Sequence, residues 1–297
     1  TSRAGPRGRA KLGAMRIQVG DVRLFFDVEG AGLVPEGPAM RGLPTLLLLH
    51  GGPGFDHSAF KPAFAQLRDV AQVIYLDHRG QGRSDRSPPE TWNLAHWADD
   101  VRAFCEALEI ERPIVLGQSF GGMVAMVYAA RHPEHAGGLV LSSTAARWVA
   151  ERSVRVFERL GGPEVAKAAQ RFWADPGPEN MGDYARLCMP RYSRTAQDPD
   201  GLARTKFHLE LTFAWEQGEG ATLDLRKDLE RVRCPTLVLA GDDDPVTPIE
   251  AAEEIVDSLP PGRARYEHFA DAGHGVYRDR PDDYFRVLRE FLASSGG

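Results

Sequence analysis

Five short apolar runs, at residues 45–49, 73–76, 114–116, 139–141 and 236–240, recur along this chain of 297 residues with helical patterns between them. Runs of that length, bounded by turn residues, suit strands buried on both faces. Their alternation with helices predicts an α/β fold, a mostly parallel central sheet with helices on both faces. The clearest helix spans 94–108, where Leu94, Trp97, Val101, Phe104 and Leu108 share one face at helical spacing. Residues 15–19 and 22–28 flank Gly20-Asp21 and read as an antiparallel hairpin at a sheet edge. Further on, Thr247-Pro248-Ile249-Glu250 reads as a helix start: Thr can accept from a first-turn N–H, Pro needs no acceptor, and Glu can cap in return. A helix to about residue 259, a strand at 265–269 and a helix at 284–292 complete the pattern, with His274 in the loop 270–280.

The strand–helix rhythm breaks between about residues 147 and 230. There Val154, Phe157, Leu160, Val165, Phe172 and Trp173 suggest short amphipathic helices separated by Gly and Pro. The expected organisation is a core of residues 15–146 and 231–297 interrupted by a mainly helical cap at 147–230. Within the cap, Phe207, Leu209, Leu211, Phe213 and Trp215 alternate strictly. That favours a strand locally, although a buried helix could carry the same residues. Residues 1–14 are rich in Arg, Gly and Ala, lack the apolar stretch of a secretory signal, and read as a mobile tail or an expression remnant.

Composition narrows the function classes. With 42% hydrophobic residues the chain can bury a substantial core, and 36 basic against 42 acidic residues give a net charge of −6, the wrong sign for a nucleic-acid binder. Cys105, Cys188 and Cys234 form no C-x-x-C pair, so neither a disulfide framework nor a thiolate metal site is expected, and a reducing, cytoplasmic location fits. The strongest apolar run, 46–49, is far too short to cross a bilayer, and no membrane role is expected.

Chemistry enters at residues 114–124, Ile-Val-Leu-Gly-Gln-Ser-Phe-Gly-Gly-Met-Val. They place G-x-S-x-G between an apolar run and a stripe at Met123, Val127 and Ala130, so that Ser119 falls at a strand-to-helix reversal. Gly117 and Gly121 remove side chains where the two backbones must approach, and the new helix turns its free N–H groups toward developing negative charge. A serine hydroxyl is a weak nucleophile until a base takes its proton and a third group orients that base. Both are available downstream: Gly241-Asp242-Asp243-Asp244-Pro245-Val246-Thr247-Pro248 follows one expected strand and Ala272-Gly273-His274-Gly275 the next. The resulting order is Ser, Asp, His, and open α/β sheets gather ligands at the carboxyl edge where all three would lie.

Taken with His50-Gly51-Gly52-Pro53-Gly54 and Asp77-His78-Arg79-Gly80-Gln81-Gly82-Arg83-Ser84, these motifs make the chain over about residues 15–292 resemble a capped α/β-hydrolase, closest to the proline-iminopeptidase-like branch. The resemblance implies Ser119 as nucleophile, His274 as general base and then acid, and Asp244 as the carboxylate that holds the imidazole. Asp242 and Asp243 stand as solvated or loop-forming carboxylates, either of which takes that role if the turn is shifted. The same resemblance makes the backbone N–H groups of Gly52 and Phe120 the oxyanion hole, and leaves Asp77 and Arg79 to brace loops. No metal or other cofactor is required.

The implied substrate is a small ester, lactone or short peptide. Peptidases of that branch commonly carry Gly-Gly-Ser-Trp-Gly, whereas Gly117-Gln118-Ser119-Phe120-Gly121 is also compatible with esterases and lactonases. An aminopeptidase must bind a free ammonium, for which Glu210 and Glu216 are candidates beside their ordinary reading as solvated surface. An esterase or lactonase needs no such site and could line an acyl pocket with Trp173, Phe213 or Trp215, beside their ordinary reading as cap core. A ligand receptor on the same scaffold is the alternative outside enzymology.

Overall fold

A computed structural model describes residues 15–196 and 198–295. The expected tail at 1–14 lies outside these residues. The strands are β1 (Arg16–Val19), β2 (Val22–Glu29), β3 (Leu33–Glu36), β4 (Ala39–Gly42), β5 (Thr45–Leu49), β6 (Gln72–Leu76), β7 (Ile114–Gln118), β8 (Gly138–Ser142), β9 (Thr236–Gly241) and β10 (Ala264–Phe269). Eight of them form one sheet in the order β1-β2-β6-β5-β7-β8-β9-β10. β6, β5, β7, β8, β9 and β10 pair in parallel, while β1 and β2 close one edge as an antiparallel hairpin. β3 and β4 form a separate, largely exposed hairpin where the sequence shows only a Gly/Pro-rich loop.

The apolar runs are strands because each feeds two cores at once. Successive side chains on a strand point to opposite faces. Leu47, Leu49, Val115, Leu139 and Leu141 accordingly join the core on one side of the sheet, and Leu46, Leu48, Ile114, Leu116 and Val140 the core on the other.

Around the sheet run α1 (Leu94–Ala107), α2 (Phe120–Arg131), α3 (Ala150–Gly161), α4 (Pro163–Ala174), α5 (Pro178–Leu187), α6 (Pro199–Arg204), α7 (Leu209–Gln217), α8 (Arg226–Leu229), α9 (Ile249–Ser258), α10 (Val276–Asp279) and α11 (Pro281–Ser295). α1 follows its expected stripe, capped by the Asn93 side chain accepting from the His96 N–H. α2 is buried on every side from Phe120 to Ala130 rather than along one stripe, as suits a helix apolar all round. Among the described residues no helix is long and apolar enough to cross a membrane.

One open reading is resolved and two local expectations are corrected. The alternating stretch 207–215 is not a strand: most of it lies in α7. Leu211 and Trp215 pack into the main core while Phe213 packs against the cluster formed by α3, α4 and α5, so two bodies cover two faces of one helix and the apolar positions alternate. Thr247 does not cap α9. The helix begins after Pro248 with no side-chain cap, because the Thr247 hydroxyl donates to Asp244, and Glu250 pairs with Arg155 of α3. The loop 270–280 contains α10.

Candidate active site

The chain leaves β5 toward β6 on one side and reaches β7 on the other, so the loops after β5 and β7 part at neighbouring carboxyl ends, where an open α/β sheet offers its crevice. Ser119 stands between β7 and α2 with φ 54° and ψ −122°, a left-handed backbone that a residue with a Cβ rarely adopts. Gly121 permits the reversal: a Cβ there would strike the carbonyls of Leu49 and His50.

Three sequence-distant side chains meet at this point. The Ser119 hydroxyl donates to His274 Nε2 at 2.9 Å, and Nδ1–H of His274 donates to Asp244 at 2.9 Å for Oδ2 and 3.1 Å for Oδ1. This tautomer follows from the hydrogen-bond network. Exposure falls along the relay, from 9% at Ser119 and 7% at His274 to 1% at Asp244. The remaining capacity of the Asp244 carboxylate is filled by the N–H groups of Val246 and Thr247 at 2.8 and 2.9 Å and by the Thr247 hydroxyl at 2.9 Å. The neighbouring aspartates turn elsewhere. Asp242 accepts from His268, and Asp243 is buried in ion pairs with Arg159 and Arg194 rather than solvated.

The loop after β5 lies directly against the serine. A Cβ on Gly51 would sit 3.2 Å from Ser119 Cβ, and Gly52 has φ 125°. Among the described residues neither the Gly52 nor the Phe120 N–H meets a hydrogen-bond acceptor. Supports surround this loop. The Gly54 N–H donates to Gln81, the Thr212 hydroxyl donates to the Pro53 carbonyl, and the His208 N–H donates to the Gly54 carbonyl. Asp77 accepts from His57 and from the Arg83 N–H, and Arg79 is paired with Asp100 and Asp21, both in bracing positions. Beneath them His50 and His78 pack edge to face at 4.6 Å; burial pushes His50 below the ordinary histidine value and His78 well below it.

The remaining candidates separate. Trp215 is core: its ring lies 5.1 Å from Phe120 and 6.1 Å from Trp97. Trp173 donates to the Ser153 hydroxyl and meets Trp148, Phe172 and Tyr184 edge to face, with Phe213 packed on the same cluster. Glu210 points outward, its side chain 78% exposed. Glu216 is half-buried, and burial pushes its carboxyl up to about 7. Its charge acts on Tyr184 and Tyr192, and the Tyr192 ring meets the His274 ring edge to face at 5.5 Å. Of the two glutamates only Glu216 is drawn in toward the Tyr184 and Tyr192 rings, while Glu210 faces outward. A surface hollow of about 800 Å³ between α8 and the end of α9 shares none of these residues.

Residue-by-residue reading missed three supports: Thr247 on Asp244, the Gln118 amide donating to the His274 carbonyl at 3.3 Å, and the Tyr192 carbonyl accepting the His274 N–H at 2.6 Å. Thr247 carried a signal, since a hydroxyl three residues after an aspartate in a tight turn can reach its carboxylate. Tyr192 carried none, lying 82 residues from His274 in the chain (274 − 192).

A family model for the α/β-hydrolase fold matches residues 44–281. The proline iminopeptidase of Lactobacillus helveticus is 30% identical over 270 residues, covering 84% of this chain and 90% of that protein. Among solved structures, the proline iminopeptidase of Mycobacterium smegmatis aligns with a TM-score of 0.74 at 25% identity over 95% of this chain and 98% of that one. A thermophilic esterase from Thermogutta terrifontis aligns with a TM-score of 0.71 at 26% identity over 96% and 100%.

Proposed function

The chain belongs to the α/β-hydrolase family, in its proline-iminopeptidase-like branch, and from that membership we propose that it cleaves a carboxylic ester or amide through an acyl-enzyme on Ser119. The observation that carries this reading is the continuous relay from the Ser119 hydroxyl through His274 to Asp244. In the proposed cycle His274 Nε2 takes the hydroxyl proton as Ser119 Oγ bonds to the substrate carbonyl carbon. The carbonyl electron pair moves onto oxygen, where the Gly52 and Phe120 N–H groups receive the charge. Collapse of that tetrahedral state expels the alcohol or amine, which leaves with the proton from His274. Water then repeats the sequence on the acyl-enzyme and frees the acid. Asp244 orients the imidazole and stabilises its cation throughout. An oxyanion donor in place before the reaction contributes about 10²–10³-fold, because it meets charge absent from the ground state.

Residues 147–230 act as the cap, and Glu216 within it is the feature that favours a substrate whose acyl part bears a free amine. A carboxylate with no hydrogen-bond partner among the described residues, its charge felt by Tyr184 and Tyr192, gains an ion pair from an ammonium and nothing comparable from a neutral acyl group. The proline iminopeptidase relatives agree with that preference, and the esterase neighbour supports the neutral-ester alternative. Free, buried Cys105, Cys188 and Cys234 are in keeping with a reducing, cytoplasmic location.

The test is covalent. A fluorophosphonate probe should add one adduct to Ser119, located by peptide mass, and Ser119→Ala should fold, take no label and lose on the order of 10⁶-fold in turnover. Parallel assays with proline p-nitroanilide, p-nitrophenyl esters and acyl lactones then assign the substrate. Wild-type turnover in purified Ser119→Ala would end the reading.

A further inference from the structure

We propose that Asp279 is a positioning residue for His274, acting by stapling residues 192–195 of the helical insertion to the loop that carries the imidazole. Its carboxylate accepts three backbone N–H groups from two segments distant in sequence: Gly273 at 2.8 Å, Arg194 at 3.0 Å and Thr195 at 2.8 Å. Gly273 immediately precedes the histidine. Across the same junction the His274 N–H donates to the Tyr192 carbonyl at 2.6 Å, and the Tyr192 ring abuts the imidazole. The Arg194 guanidinium extends the contact to Asp243 at 3.2 Å, next to Asp244. One short segment of the insertion thus touches the loops bearing both later members of the relay.

The chemistry favours a carboxylate here. Residues 193–195 belong to no helix or strand, so their N–H groups have no ladder to satisfy them. An ionised carboxylate offers about four lone-pair sites and accepts charge-assisted bonds, enough for three donors at once. His274 also needs an external clamp, because glycine flanks it on both sides and leaves its backbone freer than any other pair of neighbours would. With the clamp in place, Nε2 stays on the Ser119 hydroxyl. A displacement of about 1 Å at such a group can cost about 10²-fold.

The consequence for turnover rests on the hydrolase reading of Ser119, and the geometric claim does not. Asp279→Asn keeps the size of the side chain but turns an NH₂ group toward backbone donors. Three measurements on the whole chain decide: the rate of fluorophosphonate labelling, the downfield proton resonance of His274 Nδ1–H, and thermal melting. Labelling slowed at least about tenfold, with the resonance shifted or broadened and melting only modestly lower, is the expected result. A merely structural role would lower the melting temperature and leave the resonance and the labelling rate in place, and that outcome overturns the proposal. If the wild-type chain takes no label, the hydrolase reading fails by itself, while the response of the resonance to Asp279→Asn still decides the positioning role.

Discussion

Asp244 accepts from two backbone N–H groups, one hydroxyl and one imidazole, and Thr247 supplies two of those four donors. A hydrogen bond to a charged group is worth roughly 1.5–3 kcal/mol, and even the lower figure lost in the transition state is about tenfold in rate. Thr247→Val, matched in shape, should therefore lower kcat about tenfold with little change in KM, and Thr247→Ser should restore most of it. Equal rates for the Val and Ser variants would remove the hydroxyl from the mechanism. Glu216 gives a prediction in pH. Its carboxyl titrates near about 7 because burial disfavours the charged form, so the ionised fraction rises as pH rises through that value. KM for an amine-bearing substrate should fall across that range, Glu216→Gln should abolish the fall, and KM for a neutral ester should respond to neither. Which glutamate of two faced inward could not be read from composition or spacing, whereas the family pattern singled out Asp244 among three aspartates, and it is Asp244 that meets the imidazole. Adjacent residues in a turn differ only in direction, and direction is set by partners such as Arg159, Arg194 and Val246.

At the scale of elements, legibility followed periodicity. The five apolar runs became strands because their side chains alternate between two cores, a signal that survives in the sequence at period two. α7 defied the same rule, since contact with two bodies imposes alternation on a helix. The β3–β4 hairpin was illegible for the opposite reason: its side chains are mostly exposed, so no burial pattern marks it. That exposure makes it dispensable. The Leu43 N–H already donates to the Gly32 carbonyl at 2.9 Å, so replacing residues 33–42 by an Asn-Gly turn should close the same pair. Activity within about twofold and a stability change within about 0.5 kcal/mol are expected. Loss of folding on thermal melting would show that the hairpin carries packing.

At the scale of the whole molecule, the neutral histidines buried beneath the site set a stability profile. His50 and His78 are lowered by burial in the folded state, whereas the unfolded chain titrates near about 6.5. Below that pH the unfolded state binds protons first, so stability present above it is lost as pH falls. Glu216, raised in the folded state, acts in the opposite sense between about 4.5 and about 7. The contribution of one histidine is isolated by comparison. His78→Phe removes a ring whose Nε2 is buried without a partner among the described residues, and its urea midpoint should decline less than the wild-type midpoint between about pH 7 and about pH 5. Parallel declines would assign the acid sensitivity elsewhere.

The sequence by itself determined the layered α/β architecture, the order of serine, aspartate and histidine, and the strand that each of them follows. Those depend on periodicity and on short motifs, interactions between near neighbours. Tertiary structure alone decided that Thr247 serves a carboxylate instead of a helix, that Glu216 turns inward while Glu210 faces water, and that residues 192–195 lie against the His274 loop. Each of these is a choice among partners far apart in the chain, and burial and hydrogen-bond satisfaction make that choice only once the segments have packed.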